Sequence, residues 1–327
     1  MAILRTNDGY IGIAKQTAKG TPNATPDMYI KFIEESGAVN FETMDLREAG
    51  DGEFVGESIK TLHTEEFGFK FYARPENLTY ILGYFLGKDT VVGASDPYSH
   101  TLIRLTNGRK WLTIRKQLDT AIIKQYDDCK IYSIEINGEA GKPIEVTVTG
   151  KALTSKIDTT ADTPSYEDNT PFVFSDTCGI GFTIDTATNN NVKSFNIKIE
   201  LTTEELQTSC ITINDIPDLQ FNLDFSTELL VENTTDFWKK VNYNNTTSIS
   251  SDLYSANFVA DFVHTKTVAN DRELQITIPD ISFKPVNLNL NAEQKAQTQT
   301  LAGIGKKLSG SEMITFLLKN GLTTAVV

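Results

Sequence analysis

The side chains able to do chemistry are few and scattered in this sequence. Its three histidines, His63, His100 and His264, have no ligand partner at a spacing that reads as a metal site. Three cysteines, Cys129, Cys178 and Cys210, are odd in number and widely spaced. That argues against a disulfide framework and a clustered zinc site, and fits a reducing compartment. Carboxylates occur as neighbours: Glu65-Glu66, Asp127-Asp128, Glu204-Glu205. Adjacent residues on a strand point to opposite faces, so none of these pairs is an acid–base couple by itself. There is no Gly-x-Ser-x-Gly elbow, P-loop or dinucleotide fingerprint. No catalytic residue, cofactor-binding residue or metal ligand is therefore assigned, no cofactor is expected, and the chain does not read as an enzyme.

The elements that would have to position a site are mostly strands. Lys130-Ile131-Tyr132-Ser133-Ile134-Glu135-Ile136 and Ile144-Glu145-Val146-Thr147-Val148-Thr149-Gly150 each alternate apolar with polar. The turn residues between them make this a β-hairpin with one buried and one wet face. A second hairpin is expected from Val286-Asn287-Leu288-Asn289-Leu290 and Thr298-Gln299-Thr300-Leu301-Ala302-Gly303-Ile304-Gly305. Ile136-Asn137-Gly138-Glu139 matches Leu290-Asn291-Ala292-Glu293 at an offset of 154, and Gly150-Lys151-Ala152-Leu153 matches Gly305-Lys306-Lys307-Leu308 at 155. Phe67-Gly68-Phe69-Lys70-Phe71 has a counterpart in the strand Leu219-Gln220-Phe221-Asn222-Leu223-Asp224-Phe225, and Tyr98-Ser99 in Tyr254-Ser255 at 156. Matches in order at nearly one offset point to a duplicated unit, which is the first thing to seek in a chain this long.

Between these landmarks, Pro75 and Glu76 open a helix carrying Leu78, Ile81, Leu82, Phe85 and Leu86 on one stripe, and Gly87 stops it. Residues 234–241 stand where that helix should recur. Met28 to Glu34 and Ala38 to Thr43 read as two strands, and Glu312 to Lys319 as a strand or short helix. Residues 1–27 read as an N-terminal arm, 28–155 as a first β unit, 156–171 as a Thr/Asp/Ser-rich linker and 172–327 as a second β unit. The stretch Arg47, Glu48, Gly50, Asp51, Gly52, Glu53, Gly56, Glu57 is an acidic, glycine-bearing loop or long hairpin tip, of a length that is often functional.

The chain has 327 residues, 39% of them hydrophobic, and a formal net charge of −13. That fills two modest cores. It is not a composition built to grip DNA phosphates, which requires Lys and Arg. The charge serves solubility, or a surface that lies close to nucleic acid without sticking to it. No apolar run reaches the ~18 residues of a membrane span. The opening residues lack a basic segment followed by an apolar one, so no signal peptide is expected.

The opening run Tyr10-Ile11-Gly12-Ile13-Ala14-Lys15-Gln16-Thr17-Ala18-Lys19-Gly20-Thr21-Pro22 resembles the N-terminus of tail tube proteins (major tail proteins) of long-tailed, siphovirus-like phages. Further resemblance lies in Arg74-Pro75 with its helix, Tyr98-Ser99-His100-Thr101, the Asp128-Cys129-Lys130 entry to the hairpin, Glu139-Ala140-Gly141-Lys142-Pro143-Ile144, Pro171-Phe172-Val173-Phe174, and residues 286–305. The resemblance implies a mainly β fold with short helices: two tandem tail-tube-like β-sandwich or barrel domains, each with one flanking helix. It implies a structural virion protein whose rings stack into the tail tube, assembled in the host cytoplasm. DNA passes through the lumen without specific binding, and a tape measure protein and a tail terminator are the implied partners.

If both halves line the hole, three chains make a pseudo-six-fold ring; if one half does, six chains are needed. We favour three. The acidic loop from Arg47 to Glu57 and the arm are expected to reach an adjacent ring. The hairpins are expected to supply sheet shared between subunits, through Ile134, Ile136, Ile144, Val146, Val148, Leu288, Leu290, Leu301 and Ile304. The other class open to this sequence is a non-catalytic carbohydrate- or protein-binding β-sandwich module.

Overall fold

The computed structural model of the chain describes residues 9–48, 56–119, 122–178, 180–231, 237–265, 271–287 and 297–327. The first half holds β1 (Ile11–Lys15), β2 (Met28–Ile30), β3 (Phe32–Leu46), β4 (Glu57–Tyr72), helix α1 (Pro75–Leu86), β5 (Gly87–Val92), β6 (Tyr98–Arg104), β7 (Leu112–Asp119), β8 (Ile122–Glu139) and β9 (Glu145–Asp158). The second holds β10 (Phe182–Ile184), β11 (Ala187–Asn189), β12 (Val192–Thr203), β13 (Leu206–Gln207), β14 (Ile213–Asp215), β15 (Asp218–Leu230), helix α2 (Phe237–Tyr243), β16 (Ser255–Thr265), β17 (Asp271–Phe283), β18 (Thr298–Gly305) and β19 (Thr315–Asn320). The protein is mainly β with short helices, and the two expected strands after Met28 are the short β2 and the single long β3. The C-terminal segment is a strand.

Period-two alternation places Phe67, Phe69 and Phe71 in the core, each under 5% exposed. α1 forms where expected: Pro75 stands at its first turn, and Gly87 caps it at φ 90°, the left-handed region that glycine enters without a Cβ penalty.

The strand order repeats. In the first half the antiparallel order is β2-β1-β7-β8-β9-β4-β3. In the second it is β11-β10-β16-β17-β18-β15-β12. One detail recurs at the centre of both. Gly150 of β9 faces Ile131 of β8, and a Cβ at Gly150 would lie 2.0 Å from Phe67 Cζ. Gly305 of β18 faces Ile281 of β17, and a Cβ there would lie 2.2 Å from Leu223 Cδ2. Sheet position pairs β16 with β7, not with β6, so the Tyr254-Ser255 likeness to Tyr98-Ser99 does not mark equivalent strands. β6 instead pairs with β5 and with β19, which also pairs with β17.

Besides the β6–β19 pairing, the halves are joined in at least three places among the described residues. First, the C-terminal half of β8 pairs with β12, Ile134 opposite Ile199 and Ile136 opposite Ile197. Second, Asp218 of β15 meets three cations of the first half: Arg109 at 2.5 Å, Arg104 at 2.6 Å and Lys130 at 4.0 Å. Third, the expected linker is a strap. β9 runs on to Asp158, and the buried Arg115 binds Asp158, Asp162 and the Thr160 carbonyl. The Arg115 hydrogen bond, with backbone N–H groups of Thr160 and Thr159, holds Asp158 down at about 2. Glu167 then accepts from the Glu76 and Asn77 N–H groups, capping α1 from outside the helix. The arm is likewise part of the fold, since Ile11 and Ile13 are buried between β2 and β7.

His100 is fully buried. Nδ1 lies 2.9 Å from Asp89 Oδ2 and Nε2 2.9 Å from the Leu322 carbonyl oxygen. Both neighbours are acceptors, so the ring donates from both nitrogens. Burial opposes its charge, but the bonds to Asp89 and Leu322 and the Asp89 charge outweigh burial and raise its pKa above the ordinary 6.5. A folded-state pKa raised in this way gives stability that is full below the unfolded value and lost as pH rises through the folded one. The urea midpoint is therefore expected to fall as pH is raised from about 6.5, and His100→Gln should flatten that dependence. An unchanged slope in the variant would show that another group carries it.

Candidate functional site on the polar face of the joined sheet

Because β8 pairs with β12, eight strands run on without a break in the order β3-β4-β9-β8-β12-β15-β18-β17. Directly opposed residues share a face. One face carries Phe67, Val148, Ile134, Ile199 and Leu223 and is buried. The other is mostly polar. It holds Glu34, Glu66 and Lys70, then Glu145, Thr147, Thr149 and Lys151, then Glu135 and Asn137. Across the seam it continues with Asn196, Lys198, Glu200, Asp224, Ser226 and Glu228.

Carboxylates outnumber lysines on this face, and four of its lysines are held by one. Lys70 lies 2.5 Å from Glu145, Lys151 3.8 Å from Glu66 and Lys198 2.6 Å from Glu200, while Lys193 reaches Glu228 at 2.8 Å. The hydrogen bond to Glu200 raises Lys198 above the ordinary lysine range, and that to Lys193 lowers Glu228. Such half-exposed pairs stabilise little, roughly 0–1 kcal/mol each. Their effect here is to neutralise these lysines and leave a surplus of negative charge. Over the seam, Asn196 Nδ2 donates to Glu135 Oε1 and to Asn137 Oδ1, both at 2.5 Å.

Ile134, Ile136, Ile144, Val146, Val148 and Leu301 are fully buried in the chain's own core, and Ile304 is half exposed on the polar face. Leu288 and Leu290 lie outside the described residues, as do Gly50, Asp51, Gly52 and Glu53. The flanks of that loop are a hairpin, with Leu46 opposite Glu57, and Arg47, Glu48, Gly56 and Glu57 are exposed. Sequence reasoning missed the seam and the Arg104, Arg109, Lys130 and Asp218 group, which lack any local signature. Among the described residues no group of three or more His, Cys, Asp or Glu is placed to hold a metal ion, and no helix is long and apolar enough to cross a membrane.

A family model described as phage tail tube protein matches residues 6–294, most of the chain. The chain belongs to the phage tail tube protein family. Compared with curated proteins it has no match. Membership makes the protein a structural component of a phage tail whose copies assemble into a tube. For a tail tube protein, a long sheet with one apolar and one anionic face is the element to consider first.

Proposed function

We propose that three copies of this tail tube protein close into a pseudo-six-fold ring, that rings stack, and that the polar face of the eight-stranded run lines the hole. The observation that carries this is the recurring strand order, joined through β8 and β12 into one sheet with a single anionic face. Three such runs bring about 24 strands, beyond the 16–18 that already leave an aqueous channel. At ~4.8 Å between strands and a tilt of ~40°, the backbone ring is on the order of 50 Å across. A lumen lined by carboxylates, with its lysines neutralised, offers passing DNA few cationic traps. Assembly takes place in the host cytoplasm, and a tape measure protein and a tail terminator set the length and end of the tube.

In the same reading the β3–β4 hairpin reaches an adjacent ring. Its exposed outer half extends beyond the core, with Lys60 Nζ 4.8 Å from the Phe41 ring centroid. Electron microscopy of the purified protein tests both points. Tubes whose averaged rings show three chains are expected. Deleting residues 50–56 should give folded subunits that form no tubes. Strict six-chain rings would overturn the three-chain ring, dispersed monomers would favour the binding-module class, and normal tubes from the deletion would remove the hairpin from the contact.

A further inference from the structure

Residues 321–327 turn back from β19 and are fastened to α1, β5 and β6. Asn320 sets the turn. Its Nδ2 donates to Thr79 Oγ1 of α1 at 2.7 Å, and its Oδ1 accepts from the Leu322 N–H at 2.8 Å. Val326, 6% exposed, settles over Gly83 of α1, where a Cβ would lie 2.4 Å from Val326 Cγ2. Two bonds then tie the segment to the β5–β6 pair. His100 Nε2 donates to the Leu322 carbonyl oxygen at 2.9 Å, and the Val326 N–H donates to Asp89 Oδ2 at 3.0 Å. His100 Nδ1 donates to the same Asp89 oxygen at 2.9 Å. The side chains of His100 and Asp89 are both fully buried.

This fastening turns on one proton. A charged imidazole has two N–H groups for its two acceptors, whereas a neutral one has a single N–H. That N–H stays with the carboxylate, the stronger acceptor. Nε2 then sets a lone pair against the Leu322 carbonyl oxygen, in a site where water does not replace the lost bond.

We propose that residues 321–327 are a proton-gated clasp, shut on α1 by the charged His100 and released when the ring gives its proton to solvent. Release lifts Val326 off Gly83 and opens an apolar slot between Gly83 and the buried Leu102. Asp89 of β5 is the charge that acts on the ring. β19 lays Leu318 opposite His100 and pairs the next residue, Lys319, with Glu273. Glu76 of α1 lies at Gly321 with Arg272 and Asp96, Tyr84 donates to Asp27, and Lys15 of β1 donates to the Val326 carbonyl at 3.2 Å. Closure raises the affinity of His100 for its proton, so the clasp is shut at low pH and opens as pH rises through the closed-state value. Each pKa unit that closure adds changes the opening equilibrium about tenfold.

The test follows amide hydrogen exchange of the full chain from about pH 6 to about pH 9, corrected for the intrinsic pH dependence of exchange. The Leu322 and Val326 amides are expected to lose protection by about tenfold or more across that range, while the amides of β19 keep theirs. The ring nitrogens of His100, followed by nitrogen NMR in the same samples, should titrate at the same midpoint. Gly83→Ala, whose methyl meets Val326 and leaves His100 in place, should show the released pattern at every pH. His100→Gln should remove the pH dependence. Equal protection of the two amides across the range, a ring midpoint that differs from the exchange midpoint, or a dependence that persists in His100→Gln would overturn the clasp.

Discussion

Asp218→Ala is expected to destabilise the folded chain by about 3–5 kcal/mol, because it strips the partner from a buried cation. The Arg109 side chain is 1% exposed and lies 2.5 Å from Asp218 Oδ1. Burial pulls Arg109 below its ordinary range, and the Asp218 charge and hydrogen bond oppose that pull. Burial also lowers Lys130, with Arg109 beside it. Without Asp218 three cations of the first half are left converging near one another, and one of them has almost no water. Arg109 cannot shed its proton at neutral pH, so the strain falls on the fold. Asp218→Asn keeps one acceptor oxygen and is expected to lose less. Urea unfolding followed by intrinsic fluorescence measures both. A loss under about 1 kcal/mol for the alanine variant would show that water reaches Arg109 and that the group does not tie the halves together.

Gly150→Ala is expected to destabilise by about 1–3 kcal/mol through overpacking. The obstacle is one ring: an added Cβ would lie 2.0 Å from Phe67 Cζ and 2.6 Å from both Cε atoms. The backbone there is extended, so φ is not the objection. Phe67→Leu removes that ring edge at its own cavity penalty, and the double variant should then be better than the sum of the two, with a coupling of roughly 0.5–3 kcal/mol. Gly305→Ala with its obstacle at Leu223 should behave alike, since the repeat places the same contact there. Additivity within about 0.5 kcal/mol at Gly150 would show that the sheet opens locally instead of holding the ring against the strand.

Much of this could be read along the chain. The Phe67, Phe69, Phe71 stripe, the Pro75 helix with its Gly87 stop, and the first hairpin are short-range patterns of period two or 3.6, and they fold as written. The strand order repeats, but not at the one offset the sequence suggested: Gly150 and Gly305 are 155 residues apart, whereas their partners Ile131 and Ile281 are 150 apart. The Tyr254-Ser255 match misled, since two residues cannot distinguish β6 from β7 when the β5–β6 excursion has no counterpart among the described residues of the second half. The linker looked idle because its contacts are distant: Glu167 caps a helix about 90 residues earlier, and Asp162 binds Arg115 and Tyr10.

Composition and periodicity by themselves determined that this chain is mainly β with short helices and acidic overall. Which edge meets which was decided only in three dimensions. β12 alternates like every other strand, and nothing in its own residues says that its neighbour is β8. A strand's pattern sets which face is apolar; the partner and register follow from where the rest of the sheet leaves an open margin. The tertiary structure therefore supplied the feature the proposed function turns on, a continuous sheet with its apolar side inward and its carboxylates together on the other.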